Sequence, residues 1–197
     1  MPPIPLTAVL LAGGSSSRMG SNKASLLIQN QPLFSKQLAT LQSLNPTQIL
    51  ISGPPDGPYA HAGFPIVPDI LPHHGPLSGL QATLRLASTP LLLLLAVDLP
   101  AITPEFLSLL IHKSASSSIG CVPKIGQFFE PLAAIYPQSC LPMVEACLHS
   151  DDHSMQHFIQ LASTAGLLEI FPIPPPLHPL FHNLNHPHDL SHFTPKS

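Results

Sequence analysis

Apolar residues along this chain fall into two kinds of run, and the two kinds alternate. Thr7–Ala12, Ile49–Ile51 and Leu91–Val97 are short and apolar at nearly every position, as in strands covered on both faces of a parallel sheet. Between them lie Leu33–Leu44, with apolar residues at Leu33, Phe34, Leu38, Leu41 and Leu44, and Pro76–Ala87, both at helical spacing. Phe64–Val67 predicts a further short strand, and Thr103–Lys113 a helix with Thr103 as its N-cap and Glu105 in the first turn. Pro32, Pro76 and Pro104 open their helical segments, where a missing N–H costs nothing.

The second half is less regular. Strands are expected near Ser118–Val122, Pro131–Tyr136, Leu168–Ile173 and Phe181–Leu184. Helices are expected over Gln138–His149, Ser154–Ala165 and Pro187–Phe193. The alternation predicts an α/β fold: a three-layer, Rossmann-like, mostly parallel sheet with helices on both faces. At 197 residues the chain suits one domain, 1–197, divided into a first half, 1–115, and a second half, 116–197.

Composition narrows the function classes. Only 9% of residues are charged and the net charge is -3, so there is no basic footprint for nucleic acid. The apolar runs near the N-terminus and at Leu91–Val97 are too short, and wrongly flanked, for a signal peptide or a membrane span. A cytoplasmic protein is expected. The three cysteines, Cys121, Cys140 and Cys147, match no metal or redox spacing and read as free thiols. His178, His182 and His186 are four apart, with His188 and His192 beyond, but Pro179 and Pro187 break any helix that would align them. They read as solvated. His73, His74 and Glu130 are further polar candidates near the expected cleft.

In open parallel sheets, ligands gather at the carboxyl ends of strands. Three polar features fall there: the Gly13–Lys23 loop after the first strand, Asp69 after Val67, and Asp98 after Val97. The loop reads Leu11-Ala-Gly-Gly-Ser-Ser-Ser-Arg-Met-Gly-Ser-Asn-Lys23, with two of the seven Lys and Arg residues, Arg18 and Lys23, within it. Glycine-rich backbone and fixed cations suit a polyphosphate. It is neither a Walker A loop, since Ser21 follows Gly20, nor a dinucleotide fingerprint.

The pattern L-A-G-G-x-S-x-R-M-G-x-x-K resembles that of the MobA-like nucleotidyltransferases. The likeness continues at Gly75-Pro-Leu-Ser-Gly79, Val97-Asp-Leu-Pro100, Glu130-Pro-Leu132 and the closing Asn183-Leu-Asn-His-Pro187, in that order. It departs at Asn22, where many relatives carry Asp, and at His186, where Thr is usual. The resemblance implies a nucleotide-diphospho-sugar transferase type of fold and the transfer of GMP from GTP to a molybdopterin-type phosphate, with release of pyrophosphate. Residues 1–115 would form the nucleotide-binding half and 116–197 the acceptor-binding half. It further implies Leu11, Ala12, Gly13, Ser52 and Asp69 as nucleotide contacts. Arg18 and Lys23 would act on phosphates, Asp98 would hold Mg2+ and nucleotide, and Asn183 and Asn185 would make polar contacts on the acceptor or metal side. A related cytidylyltransferase, or a transferase for sugar or alcohol phosphates, stays open, as does a non-catalytic nucleotide-binding protein on the same fold. A monomer or weak homo-oligomer is expected.

The chemistry agrees with these residue types. Attack of one phosphate on another brings anions together, so the protein must position them and neutralise charge. Mg2+ takes oxygen ligands, commonly one or two carboxylates with phosphates.

Overall fold

The computed structural model describes residues 5–13, 23–71, 74–184 and 189. Residues 14–22 of the glycine-rich loop, with Arg18 and Asn22, together with His73, Asn185, His186 and all but Asp189 of the expected helix Pro187–Phe193, lie outside the described residues.

The first strand, β1 (Leu6–Leu11), is buried at every position. It pairs in parallel with β4 (Gln48–Ser52) on one side and with β6 (Leu91–Ala96) on the other. Beyond β4 lies β5 (Ile66–Val67), also parallel. Beyond β6 the sheet continues through β9 (Ala133–Pro137), β7 (Gly120–Ile125) and β10 (Leu168–Pro172). β9 is antiparallel to both β6 and β7, while β10 is parallel to β7. Thus β1, β4, β5, β6, β7 and β10 all end at one edge of a mostly parallel sheet. β8 (Phe128–Phe129) pairs only with β7, through a turn at Gly126–Gln127.

Side-chain alternation divides the core into two layers. Leu6, Ala8 and Leu10 face the layer of α1 (Leu33–Gln42) and α3 (Pro104–Ala115). Val9 and Leu11 face the layer of α2 (Pro76–Leu86), α4 (Leu141–Leu148) and α5 (Met155–Thr164). β6 alternates likewise, with Leu91, Leu93 and Leu95 toward one layer and Leu92 and Leu94 toward the other. These runs are unbroken hydrocarbon because both faces are covered. α3 begins as expected: Thr103 Oγ1 accepts from the Phe106 N–H at 3.3 Å, and Pro104 opens the first turn.

Three readings change. Phe181–Leu184 is not a strand, because prolines drive Pro175–Phe181 into a 3₁₀ helix followed by irregular chain. The expected Gln138–His149 helix starts as a 3₁₀ turn, Gln138–Cys140, before α4. A small hairpin, β2 (Leu27–Ile28) with β3 (Gln31–Pro32), fills the stretch before α1. Among the described residues no helix is long and apolar enough to cross a membrane.

The three cysteines are free and buried. Burial pushes the Cys121 thiol up to about 11 and the Cys140 thiol up to about 12, and raises that of Cys147. A thiol needs its thiolate to react. The folded protein is therefore expected to resist a disulfide-exchange reagent at neutral pH, with all three thiols appearing only in denaturant. Rapid labelling of the native protein would contradict this burial.

Candidate functional site

The sheet changes direction of growth at β1. β4 and β5 are added on one side and β6 on the other, which opens a crevice at the carboxyl ends of β1, β4 and β6. Asp98 stands just past β6 and Lys23 just past the glycine-rich loop. The fold brings them together across 75 residues, Lys23 Nζ donating to Asp98 Oδ2 at 3.1 Å. Both side chains keep about a fifth of their surface, at 22% and 20%, so the pair sits at the wall of the crevice rather than in the core. The other carboxylate oxygen, Asp98 Oδ1, is buried with no hydrogen-bond partner among the described residues. An ionised oxygen in that condition is costly unless a cation or donor reaches it.

A second group lies on the α2 side. Ser52 ends β4, and its Oγ is buried without a partner. A Cβ on Gly79 would lie 2.6 Å from both this Oγ and Leu11 Cδ1, and 3.5 Å from Asp69 Oδ1. Gly79 is glycine because α2 presses its backbone directly onto these three side chains. Leu11, Ser52 and Asp69, far apart in the chain, therefore meet around one point. The Asp69 residue is exposed as a whole, yet its carboxyl leans on this contact, and the partial desolvation raises its pKa. Burial raises that of Glu130 in the same way.

The backbone of Leu11, Ala12 and Gly13 is largely committed. The Ala12 and Gly13 N–H groups both donate to Ser52 O, at 2.8 and 2.9 Å, and Leu11 O accepts from the Val97 N–H at 3.0 Å. The amide cradle expected of the glycine-rich loop therefore does not begin at Gly13. Residues 14–22, Arg18 among them, lie outside the described residues.

Asn183 is exposed, and the next residue, Leu184, donates its N–H to the Asp98 carbonyl at 2.9 Å. The closing segment is thereby tied to the turn that carries Asp98. Asn185 lies outside the described residues. His178 Nε2 contacts the Ile173 carbonyl at 3.0 Å, and among the described residues no group of three or more His, Cys, Asp or Glu could hold a metal; His186, His188 and His192 lie outside the described residues. His74 stacks toward His153, with ring centroids 5.1 Å apart.

Two residues of this region were not expected. Tyr59 is almost wholly buried beneath Gly53 and Gly57, each of which needs its missing Cβ to admit the ring. Its hydroxyl has no partner, and burial, then Asp56 and Asp69, push its pKa up to about 12. Gln37 is fully buried on α1 beside the Asp98 turn. Its signal was a polar residue four positions after Leu33 and four before Leu41, on the stripe that the helix buries.

The raised carboxyls of Asp69 and Glu130 bind protons more tightly in the folded than in the unfolded state. Stability therefore falls as pH rises through the carboxylate range, and the loss persists above it. Asp69→Asn and Glu130→Gln are expected to flatten this decline in urea midpoints measured from about pH 4 to about pH 7. A steeper decline in either variant would contradict the assigned burial.

Comparison with known proteins points the same way as the geometry. The model of the MobA-like NTP transferase domain matches residues 8–166. A probable molybdenum cofactor guanylyltransferase of Deinococcus radiodurans is 34% identical over 194 residues, covering 95% of this chain and 93% of that protein. Among solved structures, molybdopterin-guanine dinucleotide biosynthesis protein A of Archaeoglobus fulgidus superposes with a TM-score of 0.72 at 22% identity, covering 95% of this chain and 96% of that one. The 2-C-methyl-D-erythritol 4-phosphate cytidylyltransferase of Thermus thermophilus gives a TM-score of 0.66 at 16% identity, covering 93% of this chain and 95% of that one. The last two share the fold. With its glycine-rich loop, its acidic turn after β6 and a matched region that spans most of its length, the chain belongs to the MobA-like NTP transferase family.

Proposed function

We propose that this protein transfers GMP from GTP to the phosphate of a molybdopterin-type acceptor, with Mg2+ held at Asp98. The observation that carries the reading is the meeting of Lys23 and Asp98 at the switch point of the sheet, with one carboxylate oxygen of Asp98 buried and unpartnered. The relative in Deinococcus radiodurans, named for guanylyl transfer and similar over nearly the whole chain, supports the choice of reaction.

In the reaction, an oxygen of the acceptor phosphate attacks the α-phosphorus of GTP. The bond from that phosphorus to the α–β bridging oxygen breaks, and pyrophosphate leaves with the electron pair. The acceptor phosphate is already ionised near neutral pH, so no general base is needed. The hard oxygens of Asp98 suit Mg2+, which when bound would neutralise charge on the phosphates as pyrophosphate departs.

The protein's own residues have separate tasks. Lys23, a point charge on a flexible stem, leaves Asp98 for a phosphate oxygen when the triphosphate arrives. Its release frees Asp98 Oδ2 beside Oδ1. Arg18 grips phosphate from the glycine-rich loop. Ser52 and Asp69, with Leu11, Ala12 and Gly13, hold base and ribose beside Gly79. Asn183 and Asn185 face the acceptor from the segment tied to Asp98.

Incubation with a molybdopterin acceptor, magnesium and each of GTP, CTP, ATP and UTP in turn tests this reading. Pyrophosphate released with GTP, together with a guanylated product, is expected. Release with CTP alone would move the assignment to cytidylyl transfer. Binding of a triphosphate with no pyrophosphate from any of the four would leave a nucleotide-binding protein without this activity.

A further inference from the structure

The turn that carries Asp98 is gripped from α1. The Gln37 amide donates through Nε2 to the Ala96 carbonyl at 3.2 Å and to the Leu99 carbonyl at 2.8 Å. The neighbouring Lys36 donates through Nζ to the Pro100 carbonyl at 2.5 Å. These three carbonyls bracket Asp98 before and after it in the chain. From the other direction, the Leu184 N–H holds the carbonyl of Asp98 itself. The peptide units around the carboxylate are therefore fixed on several sides.

Gln37 is an odd choice if only packing mattered. It is fully buried, and its Oε1 has no donor. An unbranched apolar side chain of similar shape would fill the space without leaving a buried oxygen unmatched. What an apolar residue would not supply is the pair of N–H groups that span the turn. α1 is also the element that follows Lys23: after the intervening hairpin, its first residue, Leu33, donates to the Leu26 carbonyl at 2.8 Å. One helix thus sets the distance between the segment bearing Lys23 and the turn bearing Asp98.

We propose that Gln37, assisted by Lys36, is a positioning residue that fixes the Asp98 carboxylate for the divalent cation. The inference rests on the nucleotidyl-transfer reading above. In the reading above, Leu11, Ala12, Gly13, Ser52 and Asp69 hold base and ribose and Lys23 and Arg18 hold phosphate, and neither Gln37 nor Lys36 is among them. The grip therefore acts on the cation and on turnover rather than on base recognition.

The test compares the parent protein with Gln37→Met and Lys36→Met. Mn2+ binding in the presence of GTP is followed by electron paramagnetic resonance, alongside kcat, KM for GTP and the melting temperature. Gln37→Met is expected to fold with an unchanged or raised melting temperature and to bind Mn2+ about 10-fold to about 100-fold more weakly, as partners behind a metal ligand commonly do when removed. Its kcat should fall while KM for GTP at saturating metal stays within about 2-fold, because uniform nucleotide binding is untouched. Lys36→Met should show the same pattern more weakly. A folded Gln37→Met variant with the parent's Mn2+ affinity and kcat would overturn the proposal. If Gln37→Met does not fold, Lys36→Met decides: weakened Mn2+ binding supports the grip, and unchanged binding overturns it. A parent protein that binds no Mn2+ with GTP would overturn the nucleotidyl-transfer reading itself and this inference with it. That failure is distinguishable, because the parent then shows it without any substitution.

Discussion

Asp98→Asn is expected to lower turnover by about 10³-fold while leaving the fold intact, the scale of losing one preorganised charge-stabilising group. The substitution keeps the size of the side chain and removes its charge. The Asp98 side chain is partly exposed at the crevice wall, and the Leu184 N–H bonds the backbone carbonyl rather than the carboxylate, so the turn persists. The change instead removes the carboxylate charge and turns one of its two oxygens into an amide nitrogen, which does not ligate a cation. Circular dichroism and melting should match the parent, and GTP should still bind through its base and ribose contacts. Parent-like turnover in the folded variant would show that the carboxylate is not part of the chemistry.

Lys23→Ala is the second large effect. A hydrogen bond from a charged donor is worth about 1.5–3 kcal/mol, which corresponds to roughly 10-fold to 150-fold in affinity. KM for GTP should rise by about that factor, with GMP binding affected much less if the phosphate that Lys23 takes is one that GMP lacks. Lys23→Arg should restore only part of the loss, since a planar guanidinium does not replace a compact ammonium within a site closed by Asp98. Equal losses for GTP and GMP would move Lys23 away from the outer phosphates. The two substitutions also couple. In the absence of nucleotide, Lys23 and Asp98 neutralise each other at 3.1 Å, so removing one leaves the other's charge without that partner.

Much of this arrangement was legible in the chain because the core is simple. Leu91–Val97 is pure hydrocarbon and is followed at once by Asp98, so both the strand and the ligand edge announce themselves. The same reasoning reached Asp69 after Val67, whereas Ser52 at the end of β4 came only from the family resemblance. The expected parallel sheet with helices on both faces is the observed one. What escaped has a physical cause. β2, β3 and β8 are two residues long, and two residues carry no alternation to detect. The turn between β2 and β3 places Gln29 and Asn30 at positive φ, 52° and 65°, a conformation that Asn advertises and Gln does not. Phe181–Leu184 is apolar only at its two ends, and the prolines before it fix the backbone as a 3₁₀ helix instead. Gln37 and Tyr59 owe their roles to partners 59 residues away or to glycines that make room for a ring. Local patterning does not encode such contacts.

The central claim is that Lys23 and Asp98 exchange partners when a metal-bound triphosphate enters the crevice between β1, β4 and β6. Crystals grown with GTP and Mn2+ test it most directly, because the metal is located by its anomalous scattering. An anomalous peak is expected at coordination distance from the Asp98 carboxylate, with Lys23 Nζ drawn off Asp98 onto a phosphate oxygen. A nucleotide bound elsewhere, with the Lys23–Asp98 pair still closed, would contradict it.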